Sequence, residues 1–300
     1  MNFIPSTPAK RWLIFGVWVL VSLLIFAKPV VSLVQLANQD ESASHILLIP
    51  FISAWLLYSE RKQELPASGF SLWPPLAIFV SSVFIGTASL YCASCAPKDR
   101  LTLYTLALIL LLASGFVVSL GVEKAKSSWF GLAFLLFAVP LPDAALRKVI
   151  YWLQLGSAAV AELLFNLSGA PVLREGFVFR LPKFSIEVAQ ECSGIRSSVA
   201  LLILAVLITH FSFRPIWKKI TFVLAGLCMM LIKNGIRIAT LTLLANYVNR
   251  GFLDGRLHHQ GGIVFFLIGL GLLLPVYWLL RKGEVSYTPT GQTIQGQMAS

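Results

Sequence analysis

Glu191-Cys192-Ser193-Gly194-Ile195-Arg196-Ser197-Ser198 runs straight into residues 199–213, VALLILAVLITHFSF, and this junction decides how the chain is read. The second stretch is almost wholly apolar and long enough to carry a helix deep into a bilayer. The polar octet therefore sits at the mouth of a membrane span. Cys192 falls at or near a helix N-terminus, where unpaired backbone N–H groups and the positive end of the macrodipole favour an anion. A thiol there ionises more easily, and Arg196 one turn on adds positive charge in the same sense. The N–H groups of Ser193 and Gly194 are placed to face an oxyanion formed beside the sulfur. A lone membrane cysteine is more often a small apolar filler, so the rest of the chain must supply the context.

Of the 300 residues 57% are hydrophobic and only 12% charged, which excludes an ordinary soluble domain. Long apolar runs separated by short polar punctuation indicate a single integral-membrane domain over residues 1–282, all-α and polytopic. A polar, disordered cytoplasmic tail follows over 283–300. The net charge of +11 lies in small groups between spans, the pattern of membrane orientation and not of a nucleic-acid surface. Membrane lipid is thus an expected partner and nucleic acid is not. The first apolar segment follows Lys10 and Arg11 without a small-residue cleavage site, so it reads as a retained span. Four cysteines without a zinc-like histidine pattern point to no metal and no cofactor. Cys92-Ala93-Ser94-Cys95 is open between a disulfide and an incidental pair, and Cys228 reads as packing.

About eight transmembrane helices are expected, at 12–36, 45–58, 71–92, 101–122, 129–141, from Cys192 to 213, 220–247 and 260–280. Lys10/Arg11, Arg61/Lys62, Lys124/Lys126, Arg214/Lys218/Lys219 and Arg281/Lys282 put both termini in the cytoplasm, with Lys98/Arg100 and Arg250/Arg256 as exceptions. Residues 144–166 form the expected interfacial helix: Arg147, Gln154, Glu162 and Asn166 share one face, opposite Ile150, Trp152, Leu153 and Leu164. Residues 172–188 alternate around Gly176 and Pro182, the pattern of a short extracytoplasmic β-hairpin.

That topology gathers Cys192, Arg237 and His258 on the extracytoplasmic side. Arg237 lies ten residues below the outer end of its span, about 15 Å at the rise of a helix. An arginine at such depth costs about 2.5–3.5 kcal/mol on insertion scales, and Lys233 and Asn234 add to the penalty. Asn234 and Arg237 share a helical face and point into one pocket by spacing. Snorkelling or an ion pair with a buried acid is the structural alternative for Arg237. His258 and His259 are adjacent, so one of them faces that pocket, although a lone interfacial histidine is more often a solvated helix end. A cysteine, a histidine and an arginine converging at one leaflet make a nucleophilic constellation. The thiolate attacks a carbonyl, the histidine shuttles the proton and the arginine holds the developing charge.

At these residues the chain resembles the exosortase/archaeosortase family of polytopic membrane cysteine transpeptidases. Ser44-His45 with Leu48-Ile49-Pro50 resembles an early Ser-His element, and Phe137-Ala138-Val139-Pro140-Leu141-Pro142 a Pro-Leu-Pro turn. Residues 169–176 and 188–196 resemble the lead into a Cys-Ser-Gly-Ile-Arg nucleophile motif. Asn234-Gly235-Ile236-Arg237 fits an Asn-x-x-Arg, and His258 with Gly262, Phe265 and Phe266 fits a His-x-x-x-Gly followed by aromatics, which favours His258 over His259. The resemblance implies Cys192 as nucleophile, Arg237 as charge stabiliser and His258 as acid/base partner. Arg196, Asn234, Ser193, Gly194 and His259 are the supporting residues, and Arg196 is the alternative for the oxyanion role.

It further implies an inner-membrane cysteine protease/transpeptidase that cuts exported proteins near a C-terminal sorting signal and passes them to an acceptor. That signal is a short motif such as Pro-Glu-Pro, a transmembrane helix and a basic cluster. Gln190-Glu191 departs from the small residues often found before the nucleophile, and Glu191 opposes Arg196 in its effect on the thiol. Two other classes remain in view. An anion-pathway transporter would line its path with Lys233, Asn234 and Arg237 and show two related halves, and no repeat is present. A non-catalytic envelope or exopolysaccharide assembly protein would tolerate replacement of Cys192.

Overall fold

The computed structural model describes residues 7–61, 72–91, 95–188, 194–252 and 262–282. The chain is an all-α polytopic membrane protein with one small sheet. Among the described residues eight helical stretches are long and apolar enough to cross a bilayer. They fall in two compact units, residues 1–148 and 149–300. The expected tail over 283–300 lies outside the described residues.

In the first unit, the span expected over 12–36 is two helices, α1 (Pro8–Ile25) and α2 (Ala27–Gln39), joined at Phe26. Pro29 is the cause. It cannot donate to the Ile25 carbonyl and its ring crowds that oxygen, so the first helix stops there. A 3-10 turn (Glu41–Leu47) leads into α3 (Ile49–Ser59), followed by α4 (Trp73–Tyr91) and α5 (Pro97–Leu120). Close packing uses small residues and serines. Trp18 lies over Gly115, where an added Cβ would stand 2.0 Å from the ring, and its indole N–H donates to the Leu111 carbonyl at 2.9 Å. Ser82 donates to the Ala107 carbonyl at 2.7 Å and Ser114 to that of Pro75 at 3.0 Å. Such bonds are the glue that remains when the surroundings are as apolar as the helices.

Polar groups mark the two ends of this unit. At one end Lys98 bridges Asp40 at 2.8 Å and Asp143 at 3.9 Å, and Asp99 accepts the Asp143 backbone N–H at 2.8 Å. At the other, Lys124 in α6 (Val122–Ser127) donates to the Glu60 carbonyl at 2.5 Å. The chain returns from the second end to the first through α7 (Trp129–Phe134), a 3-10 turn (Leu135–Ala138) and residues 139–142, of which Val139 is extended. Six α-helical and four 3-10 residues rise about 17 Å, and residues 139–142 carry the chain on to Asp143. The segment expected as a span over 129–141 therefore connects both ends, although its helix is too short to do so alone.

The next helix, α8 (Asp143–Ser168), was expected at the membrane surface, yet by length and composition it is one of the eight able to cross. Beside it lies a sheet of three strands where the alternation of residues 172–188 predicts a two-strand hairpin. β1 (Leu173–Glu175) pairs antiparallel with β2 (Val178–Arg180), and β2 with β3 (Ser185–Glu187). Gly176, at φ 65°, makes the first turn. Pro182 and Lys183 make a second, closed by the Leu181 N–H on the Phe184 carbonyl at 2.9 Å, and this adds β3. Phe177 stacks edge-on to Tyr151 and Phe179 to Phe165. Arg174 bonds Glu162 at 2.8 Å. Charged strands thus flank α8 over four turns, which is the chemistry of a surface and not of a bilayer interior.

The second unit is completed by α9 (Ile195–Ser212), α10 (Ile216–Tyr247) and α11 (Gly262–Arg281). Phe213 meets Phe222 and Ala205 lies against Gly226, so α10 runs opposite to α9. Phe222 meets Tyr277 and Gly269 lies against Lys233, so α10 also runs opposite to α11.

Burial pushes the Asp40 carboxyl up, but hydrogen bonds from Lys98 and Ser42 outweigh it and hold it below the usual carboxylate value. A carboxyl so lowered contributes stability above its unfolded value of about 3.9 and loses it as pH falls through the folded one. Asp40→Asn is expected to lower the thermal midpoint of the purified protein at pH 7. The gap to wild type should close below about pH 3.9; a gap independent of pH would contradict the pairing with Lys98.

Candidate active site

The site is assembled where α8 crosses α10. Both helices carry small residues at the crossing: a Cβ on Gly156 would stand 2.9 Å from Leu231, and one on Gly235 would stand 2.5 Å from Val160. The close approach lets Asn234, 1% exposed, donate to the Ser157 hydroxyl at 3.0 Å. Lys233, also 1% exposed, extends the other way and donates to Ser197 of α9 at 2.6 Å. Gly194 caps α9 from the left-handed region, φ 65° and ψ 25°, with no side-chain cap. A Cβ on it would stand 2.7 Å from Asn234 Oδ1 and 3.4 Å from Lys233 Nζ. Only glycine fits there, for conformation and for space.

The other flank of the nucleophile motif is held by the same helix pair. Gln154 of α8, predicted on the solvated face, is buried and donates to the Val188 carbonyl at 2.7 Å. Val188 belongs with Ala158, Ala161, Phe165, Phe179 and Ile238 to the core that joins sheet, α8 and α10. The chain is therefore fixed on the α8–α10 crossing just before residue 189 and just after residue 193.

Cys192, Ser193, His258 and His259 lie outside the described residues. Of the other predicted residues, the structure brings Gly194 and Asn234 into contact. Arg196 is exposed on α9, and Arg237 is half-buried on α10, one turn beyond Lys233. α10 has 32 residues and its last turns pack Ile238, Ala239 and Leu243 on the sheet core and not on lipid. From Lys219 to Arg237 is about 27 Å along the helix, close to a full hydrocarbon thickness. Arg237 stands at the end of the unit where α9 and α11 begin. Two cations, a buried amide and an uncapped helix start make that end favourable to anions.

Sequence reasoning missed Ser157, Ser197 and the inward turn of Gln154. The signal was present in Gly156-Ser157-Ala158 with Ala161, small residues that mark a close helix crossing. Cys228, read as packing, is an exposed free thiol on α10. Cys95 is disulfide-bonded, and Cys92 lies outside the described residues. The two early motifs meet elsewhere: the His45 ring hydrogen-bonds to the backbone of Phe137 and Ser42 and so helps to build the first unit.

A family model described as transmembrane exosortase matches residues 37–275. The chain belongs to the transmembrane exosortase family. No curated protein and no solved structure matches it. In this exosortase the matched region runs from α2 to α11 across both units, and it contains Cys192, Asn234, Arg237 and His258.

Gly194→Ala is expected to cost about 1–3 kcal/mol, from a left-handed φ and a clash with Asn234. Thermal unfolding of the purified protein reads this directly. A midpoint equal to wild type would show that the turn has room to relax.

Proposed function

We propose that this exosortase is a membrane cysteine endopeptidase/transpeptidase, with Cys192 as nucleophile, Arg237 as oxyanion stabiliser and His258 as acid/base. It cleaves the C-terminal sorting signal of exported proteins at the outer face of the inner membrane and passes them to an acceptor. One observation carries the reading: both flanks of residues 189–193 are pinned on the α8–α10 crossing. α11 begins at Gly262, four residues after His258, at the same end of the unit as Arg237.

The chemistry follows from the residue types. The thiolate adds to the scissile carbonyl, and the carbonyl oxygen takes up the negative charge that Arg237 meets. Collapse expels the amine, which takes its proton from the histidine, and leaves a thioester on Cys192. An acceptor nucleophile gives its proton to the histidine, attacks the thioester and releases the thiolate. Arg237→Lys keeps charge but not the planar fork, so it is not a neutral exchange.

The sidedness rests on charge. Arg214, Lys218, Lys219, Arg281 and Lys282 all lie at the end of the unit opposite to Arg237. The positive-inside rule puts that end, and both termini, in the cytoplasm and the site outside. A substrate's own transmembrane helix would then run beside α9–α11, with its short motif at the rim.

The test is processing, in cells, of a tagged protein from the same genome that bears a Pro-Glu-Pro-type signal. Cys192→Ala, at normal membrane abundance, is expected to abolish the processed band. Arg237→Lys is expected to reduce processing by about 100-fold, as for loss of one oxyanion donor. Unchanged processing by Cys192→Ala would sink the thiol as nucleophile and leave a role in envelope assembly.

A further inference from the structure

Three aromatic rings close the unit at the end opposite to Arg237. Phe213, just after α9, packs on Phe222 of α10 at 5.5 Å between ring centroids and on Tyr277 of α11 at 5.8 Å, and those two meet at 6.1 Å. α10 and α11 run in opposite directions, so four residues before Phe222 and four residues after Tyr277 lead to one level, a turn beyond the rings. Those positions are Lys218 and Arg281. Each shares a helical face with its aromatic neighbour, and the two cations therefore flank the seam that the rings close. An aromatic ring also holds each charged head. Lys218 Nζ lies 5.7 Å from the Trp217 ring centre, and the Arg281 guanidinium 5.7 Å from that of Tyr277. A lysine that only orients a span extends its ammonium into the headgroup water. Lys218 is instead buried, 9% exposed.

The acids among the described residues of this unit stand elsewhere. They are Glu162, Glu175 and Glu187, and the first two are bonded to Arg174 and Arg180 at the sheet. The sheet core meets α10 at Ile238, about 30 Å along the helix from Lys218. Glu191, Asp254 and Glu284 lie outside the described residues. At the rim, Arg214, Lys219 and Lys282 add to the charge of Lys218 and Arg281. Repulsion among these cations favours an anion between them. The flanks say what kind of anion. Ile220 and Leu224 of α10 and Leu274 of α11 are exposed and apolar, and Trp217 and Trp278 are exposed at the helix ends. In a bilayer such faces meet acyl chains, and such tryptophans sit at headgroup level.

We propose that the seam between the start of α10 and the end of α11 binds one anionic phospholipid. Its phosphate lies between Lys218 and Arg281, where an ammonium and a planar guanidinium both suit phosphate oxygens, and its chains run along the apolar flanks. Such binding requires neither the thiol chemistry nor a given leaflet.

The readout is the thermal midpoint of the purified, delipidated protein in dodecyl maltoside, titrated with dioleoyl-phosphatidylglycerol, dioleoyl-phosphatidylcholine or inorganic phosphate. Phosphatidylglycerol is expected to raise the midpoint, as a ligand of the folded state does, and the other two are not. Lys218→Gln and Arg281→Gln should each raise the lipid fraction needed for half of that rise by about fivefold, the worth of one cation beside an anionic headgroup. Lys282→Gln should leave it unchanged, because that residue lies off the shared face. Arg281 is exposed, so its variant carries the test if Lys218→Gln does not fold. No rise with phosphatidylglycerol, or an equal rise with phosphatidylcholine or inorganic phosphate, would overturn the lipid site. Equal losses in Arg281→Gln and Lys282→Gln would do the same, because they mark diffuse surface charge.

Discussion

Inside a bundle of apolar helices, every polar group that enters must find its partner within the protein. In the second unit that requirement converges on two consecutive residues of α10. Asn234 turns to α8 and Lys233 turns to α9, passing α11 on the way. Three helices are thus tied to the fourth over less than one turn. Replacing either residue by a leucine would leave the close crossings but remove the reason for their register. The start of α9 takes its place from this point.

The first unit obeys the same constraint by another route. Its serines bond to backbone carbonyls of neighbouring helices, and its charges collect at the two ends. Between those ends residues 129–138 change from α-helix to 3-10, gaining rise per residue, and Val139 beyond them is extended. Prolines at 140 and 142 remove two donors that would otherwise need partners. The Thr102 hydroxyl donates to the Pro140 carbonyl at 2.9 Å, so the stretched end is still served. Economy of length is bought with side-chain hydrogen bonds.

Much of this was legible in the residues themselves. The number of spans, the start of a helix just after Cys192 and the shared face of Asn234 and Arg237 follow from apolar runs and helical spacing. The break at Phe26 was also written, in Pro29. What periodicity could not show was which polar residue faces another element. Gln154 and Glu162 occupy one face of α8, and a helical wheel calls that face solvent. The sheet that covers it comes from residues further along the chain, and its third strand depends on a turn at Pro182 that alternation alone does not distinguish from an ending.

The bond from Gln154 to Val188 has a mechanical meaning. It clamps the chain before residue 189, and the glycine turn clamps it after residue 193. Val188 and Gly194 are thus two posts that stand on the same pair of helices. Whatever bends that pair of helices moves both posts together, so the distance between Val188 and Gly194 is kept while the helices flex.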